Sequence, residues 1–395
     1  MKKGNILYLF ILSIFVAGCF SYEQSHEGLP YIDVTKTYCE KEVDLTDIAD
    51  VHYLHLNTKN EDFLYQGSID YVTQNTIVIV DRSSNSILLF SKNGEPKSRF
   101  NRRGQGPEEY SRASSIMYDE DKDEVYIIPD FNDHMKIYSS SGEYKRTLTF
   151  PQINIGNQLG FFDNQSILVY DNTKLWRNIN KQYSVDKTDV AKHVNDSSFF
   201  LISTTDGKVL EYIELPSNNS IDISTIKQGD ISGQIGYTRV RKCIDGVLLY
   251  NPETDTVFLY NNDKSLSPFI DKKPLLSNLD PMVVMDICMD TESFQFLSIY
   301  PYLKGEFPSP IYYMRDKNTG EIVRPKVILP DYKEKNLNFD PRLQNYYENG
   351  YHFELDLFEL KEAYKENKLS GKLKELVATL DEEEDNNVFM LVQFK

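Results

Sequence analysis

The chain has 395 residues, with 43 lysines and arginines against 60 aspartates and glutamates, a net charge of −17. So acidic a surface repels nucleic acid and anionic lipid, which excludes both as principal partners. The 27 tyrosines and 22 phenylalanines, against one tryptophan, favour strands, and the length outgrows one layered core unless the chain closes as a ring of small repeated sheets.

Lys2 and Lys3 precede an apolar run, Ile6–Val16, that is too short to span a bilayer comfortably. Val16-Ala17-Gly18-Cys19 follows. Small residues just before a cysteine make a lipobox, so residues 1–18 read as a lipoprotein signal peptide and Cys19 as the lipidated residue. The alternative is an ordinary secretory signal with Cys19 as a bystander. Phe20 rather than Asp comes next. In a Gram-negative host that favours the outer membrane, with its face left open. Residues 19–45 read as a tether and an extended segment.

From residue 46 to 395 the chain reads as one domain. Asp47–Leu56 alternates as a short strand. His52 and His55 then lie on opposite faces, a poor metal pair. Two copies of one pattern follow, Asn75–Phe100 and Asp123–Phe150. Each has a β-rich run ending near an Asp, a polar turn, a second run ending in an aromatic residue, and a glycine. Phe90 precedes Gly94, and Tyr138 precedes Gly142, by four residues, and the two glycines are 48 apart. With strands predicted over Leu64–Tyr71 and Thr76–Val80, each copy is a four-stranded antiparallel meander, and that period is the period of a propeller blade.

Later units are more degenerate. Leu159–Asp171 with Phe199–Leu215 makes a third blade, Tyr237–Phe269 a fourth and Ser293–Ile328 a fifth. The period then breaks. Residues 356–380 show helical spacing, with Ser370 as the cap of a second helix, and residues 387–395 (NVFMLVQFK) form an apolar strand without a local partner. Pairing that strand with Val51–Leu56 closes a ring and hides two sheet edges. The expected fold is therefore all-β, a six-bladed β-propeller with a short helical insertion before the closing strand. Seven blades is the alternative.

Gly104-Gln105-Gly106-Pro107-Glu108-Glu109-Tyr110 resembles the G-x-G-P-x-E-[FY] linker of NHL-like β-propellers, and the stretch after it follows that repeat's order. With the lipobox and the C-terminal LSGKLKELVATLDEEEDN, the whole chain resembles six-bladed, NHL-like propeller lipoproteins of bacteria. The resemblance is good over about 45–150 and 350–395 and poor between them. It implies a propeller on the cell envelope rather than a particular activity.

The residues themselves offer little chemistry. Gly104 and Gly106 read as a tight, φ-permissive crossing between blades, because no dinucleotide or GK[ST] pattern surrounds them. Arg99, Arg102, Arg103 and Arg112 cluster there. Pairing with Glu108, Glu109 and nearby acids is the plain reading, and Arg102 and Arg103 are the ligand-contact candidates, as carboxylate clamps. Relatives that are lactonases or lyases hold an axial metal on several blades. Asp130, Asp171, Asp206 and Asn251 sit near strand ends, where Asp is also the ordinary turn residue. The six histidines are scattered, and Asp119–Glu124 lacks the spacing of a calcium loop. Cys39, Cys243 and Cys288 read as free thiols, with a Cys243–Cys288 disulfide as the alternative.

The sequence therefore predicts a lipid-anchored, non-enzymatic module that binds an envelope protein or a saccharide or peptide ligand. It expects no catalytic residue, metal or cofactor. The alternative is a metal-dependent hydrolase or lyase on the same fold.

Overall fold

The computed structural model describes residues 28–129, 134–149, 155–171, 199–216, 225–228, 231–234, 240–250, 254–281, 283–301, 309–337, 346–347, 350–382 and 385–395. The chain begins with two short strands, β1 (Tyr31–Asp33) and β2 (Glu40–Asp44), one helical turn, α1 (Leu45–Ile48), and β3 (Ala49–His55). Four antiparallel strands then form blade 1: β4 (Ile69–Val72), β5 (Thr76–Val80), β6 (Ile87–Ser91) and β7 (Pro96–Phe100). The predicted strand over Leu64–Tyr71 starts only at Ile69, after a turn of 3-10 helix at Glu61–Phe63 under the Asn60 cap.

Blade 2 has β8 (Ser115–Asp119), β9 (Glu124–Ile128), β10 (His134–Tyr138) and β11 (Tyr144–Thr149). Blade 3 has β12 (Ile155–Phe161), β13 (Ser166–Asp171), β14 (Phe199–Ser203) and β15 (Val209–Ile213). A separate hairpin, β16 (Thr225–Gln228) and β17 (Ile231–Gln234), comes next. Blade 4 has β18 (Val240–Cys243), β19 (Gly246–Leu249), β20 (Thr256–Asn261) and β21 (Leu266–Lys273). Blade 5 has β22 (Val283–Asp290), β23 (Phe294–Pro301), β24 (Ile311–Asp316) and β25 (Ile322–Ile328), and β26 (Asn336–Leu337) pairs with β25. Blade 6 opens with β27 (Tyr346–Tyr347) and β28 (Gly350–Leu355). After the helices α2 (Leu357–Lys365) and α3 (Gly371–Thr379) comes the last strand, β29 (Val388–Phe394). The order in this sheet is β27-β28-β29-β3, so β3 and the C-terminal strand close a six-bladed β-propeller.

There is no single core. Six apolar layers fill the six spaces between neighbouring blades, from Val78, Leu89 and Ile127 between blades 1 and 2 to Phe389, Leu391, Ile77 and Phe90 between blades 6 and 1. A middle strand therefore has a buried neighbour on both faces. That is why TIVIV and EVYII are apolar without a break and buried at every position. Outer strands have one covered face and alternate, as β7 and β15 do.

The segment read as a lead-in takes part in the sheets. β1 pairs in parallel with β21 and β2 in parallel with β25, so residues 31–55 run across the outer edges of blades 4, 5 and 6 in turn. Edges that would otherwise accept foreign strands are covered.

The helices pack on the apolar layer between blades 5 and 6 through Leu360, Ala363, Leu373 and Val377. Asp356 caps α2 by accepting from Glu359 N at 2.8 Å. Ser370 is the first residue outside α3, but its side chain does not cap the helix. Its hydroxyl donates to Pro330 O at 3.2 Å, and the Asp331 carboxylate takes the Leu373 N–H at 3.4 Å. The cap comes from a loop distant in sequence.

The turn at the end of β5 carries a pH-dependent contribution. The buried Asp81 carboxylate accepts from Gln66 N at 2.9 Å, Ser83 N at 3.2 Å and Ser84 N at 3.1 Å, and from the hydroxyls of Ser83 and Ser84. Burial opposes ionisation, but these donors outweigh it and hold the carboxyl at about 2. A depressed carboxyl stabilises the fold above its unfolded value of about 3.9, and this contribution is lost as pH falls towards the folded value. Wild type is therefore expected to lose about 1–2 kcal/mol more than Asp81→Asn between pH 4 and 2, with solvent screening allowed for. Urea unfolding of both proteins across that range measures it, and parallel profiles would refute the assignment.

Candidate functional site

The linker that carries Arg102 and Arg103 is built around Tyr110. This side chain is fully buried, its hydroxyl donates to Asn85 O at 2.7 Å, and its ring meets Tyr138 edge-on at 5.9 Å. Its backbone N–H donates to Arg102 O at 3.0 Å, and its carbonyl accepts from Gly104 N at 3.0 Å. Glu109 folds back and accepts from Gly106 N at 2.8 Å. A Cβ on Gly104 would lie 1.9 Å from the Glu109 carboxylate, so a larger residue there would have to push that flexible side chain off the Gly106 N–H. This corrects the φ-permissive reading, because neither Gly104 nor Gly106 is among the glycines of positive φ.

Among the described residues no ion pair joins the arginine cluster to Glu108 or Glu109, and two of the arginines have other partners. Arg102 Nε donates to Gly142 O at 2.8 Å, which ties the linker to a hairpin turn of blade 2. Arg99 faces Asp62 at 3.6 Å, and Arg103 is exposed.

Charged residues of the Asp119–Glu124 stretch join blades to one another. Glu120 accepts from Thr73 Oγ1 at 2.8 Å, Asn75 N at 3.1 Å and Thr76 Oγ1 at 2.5 Å, all in blade 1. Arg146 forks onto Glu124, at 2.6 and 2.7 Å, and also donates to Thr204 O in blade 3 at 2.8 Å. In blade 5, Asp290 accepts from Gln295 Nε2 at 2.7 Å and lies 3.3 Å from Lys317 Nζ, and Arg315 donates to Gln295 at 2.8 Å. Burial and the Asp290 charge push the neighbouring Cys243 thiol up to about 12, which leaves it a poor nucleophile. Cys39, Cys243 and Cys288 are all free thiols.

Asp206 is a turn residue paired with Lys208 at 2.7 Å. Asp130, Asn251, His26, His193 and the side chain of Asp171 lie outside the described residues. His52 and His55 point to opposite faces of β3, His55 towards Asp385 at 3.4 Å. Burial lowers His352 to about 4, so it is neutral at physiological pH. Among the described residues no group of three or more His, Cys, Asp or Glu side chains is placed to hold a metal.

The feature best suited to a ligand lies in blade 5. β24 and β25 pair at Arg315↔Ile322 and Met314↔Val323, and there the ladder stops. Continued past Tyr313 and Arg324, the same register would set Tyr312 against Pro325, which has no N–H to give. Val327 pairs instead with Leu337. The far edge of β25 is held by β2, with Arg324 N donating to Cys39 O at 2.8 Å. The two strands part and leave a cleft of about 530 Å³.

Phe296, Leu297, Tyr312, Tyr313, Val327 and Leu337 line the cleft, and Glu40, Arg324 and Lys326 stand exposed around it. Lys326 is paired with Glu42 at 2.9 Å. Among the described residues no ion pair engages Arg324. Burial raises the Tyr313 hydroxyl, and the nearby Arg324 charge counters that rise. None of these residues was singled out from the sequence. The usable signal was Pro325 inside an otherwise strand-like run.

The fold has relatives among solved structures. A candidate exported protein of Bacteroides fragilis is 17% identical, with a TM-score of 0.58 over 90% of this chain and 99% of its own. A DUF4221 family member from Bacteroides vulgatus is 12% identical, with a TM-score of 0.46 over 88% and 97% of the two chains. A virginiamycin B lyase from Staphylococcus aureus is 14% identical, with a TM-score of 0.35 over 72% and 76%. The first of these likenesses speaks for the fold, and the other two carry no argument. No curated protein matches the sequence. A family profile does match residues 29–393, nearly the whole propeller, and the chain belongs to that family, described as a domain of unknown function (DUF4934).

Proposed function

We propose that this protein is a binding module of the cell envelope, carried on a lipid at Cys19, that holds a ligand without transforming it. The cleft between β24 and β25 carries the reading. Its volume, about 530 Å³, is that of a small-molecule site, its floor is apolar, and the charged side chains lining it stand at the rim. Such a site orients a ligand but sets no buried acid–base pair against it. Arg102 and Arg103 belong to this reading as a second, exposed contact on the linker between blades 1 and 2. The lipobox and the resemblance to propeller lipoproteins support the anchor, and Phe20 after Cys19 supports the outer membrane.

Metabolic labelling with a radioactive fatty acid tests the anchor. Cys19→Ala is expected to lose the label entirely and to move from the membrane fraction to the soluble fraction. A mutant still labelled and still membrane-bound would end the lipid assignment. The binding role is checked by recovering bound small molecules after incubation with the full-length protein. They are expected unchanged, and steady conversion of any of them would overturn the non-enzymatic reading.

A further inference from the structure

We infer that the cleft of blade 5 takes a monocarboxylate with a flat apolar body, an aryl or alkyl carboxylic acid. The inference rests on the reading of that cleft as a ligand site and names its ligand class. Of the two cations that line the cleft, Arg324 is the one that no ion pair engages among the described residues, and a guanidinium receives a carboxylate through two parallel hydrogen bonds. Lys326 is already neutralised by Glu42. Glu40, opposite Arg324 in the β2–β25 register, and the net charge of −17 act against a second negative group. The ligand is therefore a monoanion rather than a phosphate ester or a polyacid.

Below the rim the space is walled by Phe296, Tyr313, Val327 and Leu337, all buried, which suits a ring or a short chain. A peptide added as a strand is disfavoured, because Pro325 removes the donor that the facing edge of β25 would supply.

The test titrates the full-length protein with indole-3-acetate and with its neutral isostere, indole-3-acetamide, by calorimetry. The acid is expected to bind about tenfold more tightly than the amide, the gain of one charge-assisted contact. Arg324→Gln, at an exposed position, is expected to bring the acid down to the level of the amide and to leave the amide unchanged. Ile311→Trp, at a rim residue that is 41% exposed, narrows the mouth and is expected to abolish both. Equal binding of acid and amide by wild type, lost in Ile311→Trp, overturns the ligand class and leaves the cleft as a site. An acid preference that survives Arg324→Gln also overturns the class. Binding that survives Ile311→Trp, or no binding by benzoate, hexanoate, indole-3-acetate or their amides, overturns the cleft reading itself.

Discussion

Ending the chain at Asn387 is expected to abolish cooperative folding. The deletion removes β29, whose Val388, Phe389, Met390, Leu391, Val392 and Phe394 are all buried. These side chains enter two apolar layers at once, Phe389 and Leu391 towards blade 1 and the other four towards blade 5. At roughly 1.5–3 kcal/mol for each side chain, the loss matches or exceeds the whole stability of a typical domain, about 5–15 kcal/mol. β28 and β3 would also lose the strand that joins them. Circular dichroism during heating and limited proteolysis read the result. A truncated chain that melts sharply near the wild-type temperature would show that the ring does not depend on its last strand. Phe389→Ala grades the same effect, with an expected cost of about 3–5 kcal/mol.

Replacing Arg146 by Met is expected to cost about 3 kcal/mol, the lower end for breaking a buried pair, because the arginine is 29% exposed. The burden falls on Glu124, which is 10% exposed and sits beside the layer between blades 2 and 3. Burial disfavours its charge, but Arg146 and the Tyr126 hydroxyl, at 2.7 Å, hold the carboxyl below its usual range. Without the arginine, the Tyr126 hydroxyl remains as its one side-chain donor among the described residues, and Thr204 O loses its donor across the blade boundary. The double variant Arg146→Met/Glu124→Leu removes both charges and is expected to recover to within about 1 kcal/mol of wild type. Urea midpoints of the three proteins decide it. A double variant no more stable than Arg146→Met would mean that packing or the Thr204 bond, not the stranded charge, sets the cost.

The propeller was legible at the middle strands of its blades, which are covered on both faces. TIVIV, EVYII and FFLIS need apolar residues on both faces, and such runs stand out. The closing strand NVFMLVQF was equally plain, because it has no local partner. The parallel strands β1 and β2 were not legible as such. YID is short and EKEVD is polar, and what fixes them is the edge of a distant blade. The Asp331 cap on α3 and the Glu124–Arg146 pair are long-range contacts that a linear pattern does not hold. The linker motif was visible, but its cause was not. Gly104 leaves room for the Glu109 side chain folded over it rather than for a left-handed turn, and a glycine gives the same letter for either reason. The cleft escaped because Pro325 breaks the ladder only when set opposite Tyr312, and that pairing is a matter of register.

The strap formed by residues 31–55 also fixes an order of assembly. Tyr31 must wait for Asp271, Glu40 for Arg324 and Ala49 for Phe394. Among the described residues, the stretch that is synthesised first is therefore placed only after the distant strands it joins. Blades 1 and 2 pair within themselves and can form as they emerge. Blade 6 cannot close until the final strand is made, and such distant pairings are slow to find. A chain built this way becomes a closed ring only when its last strand, β29, is available to β3.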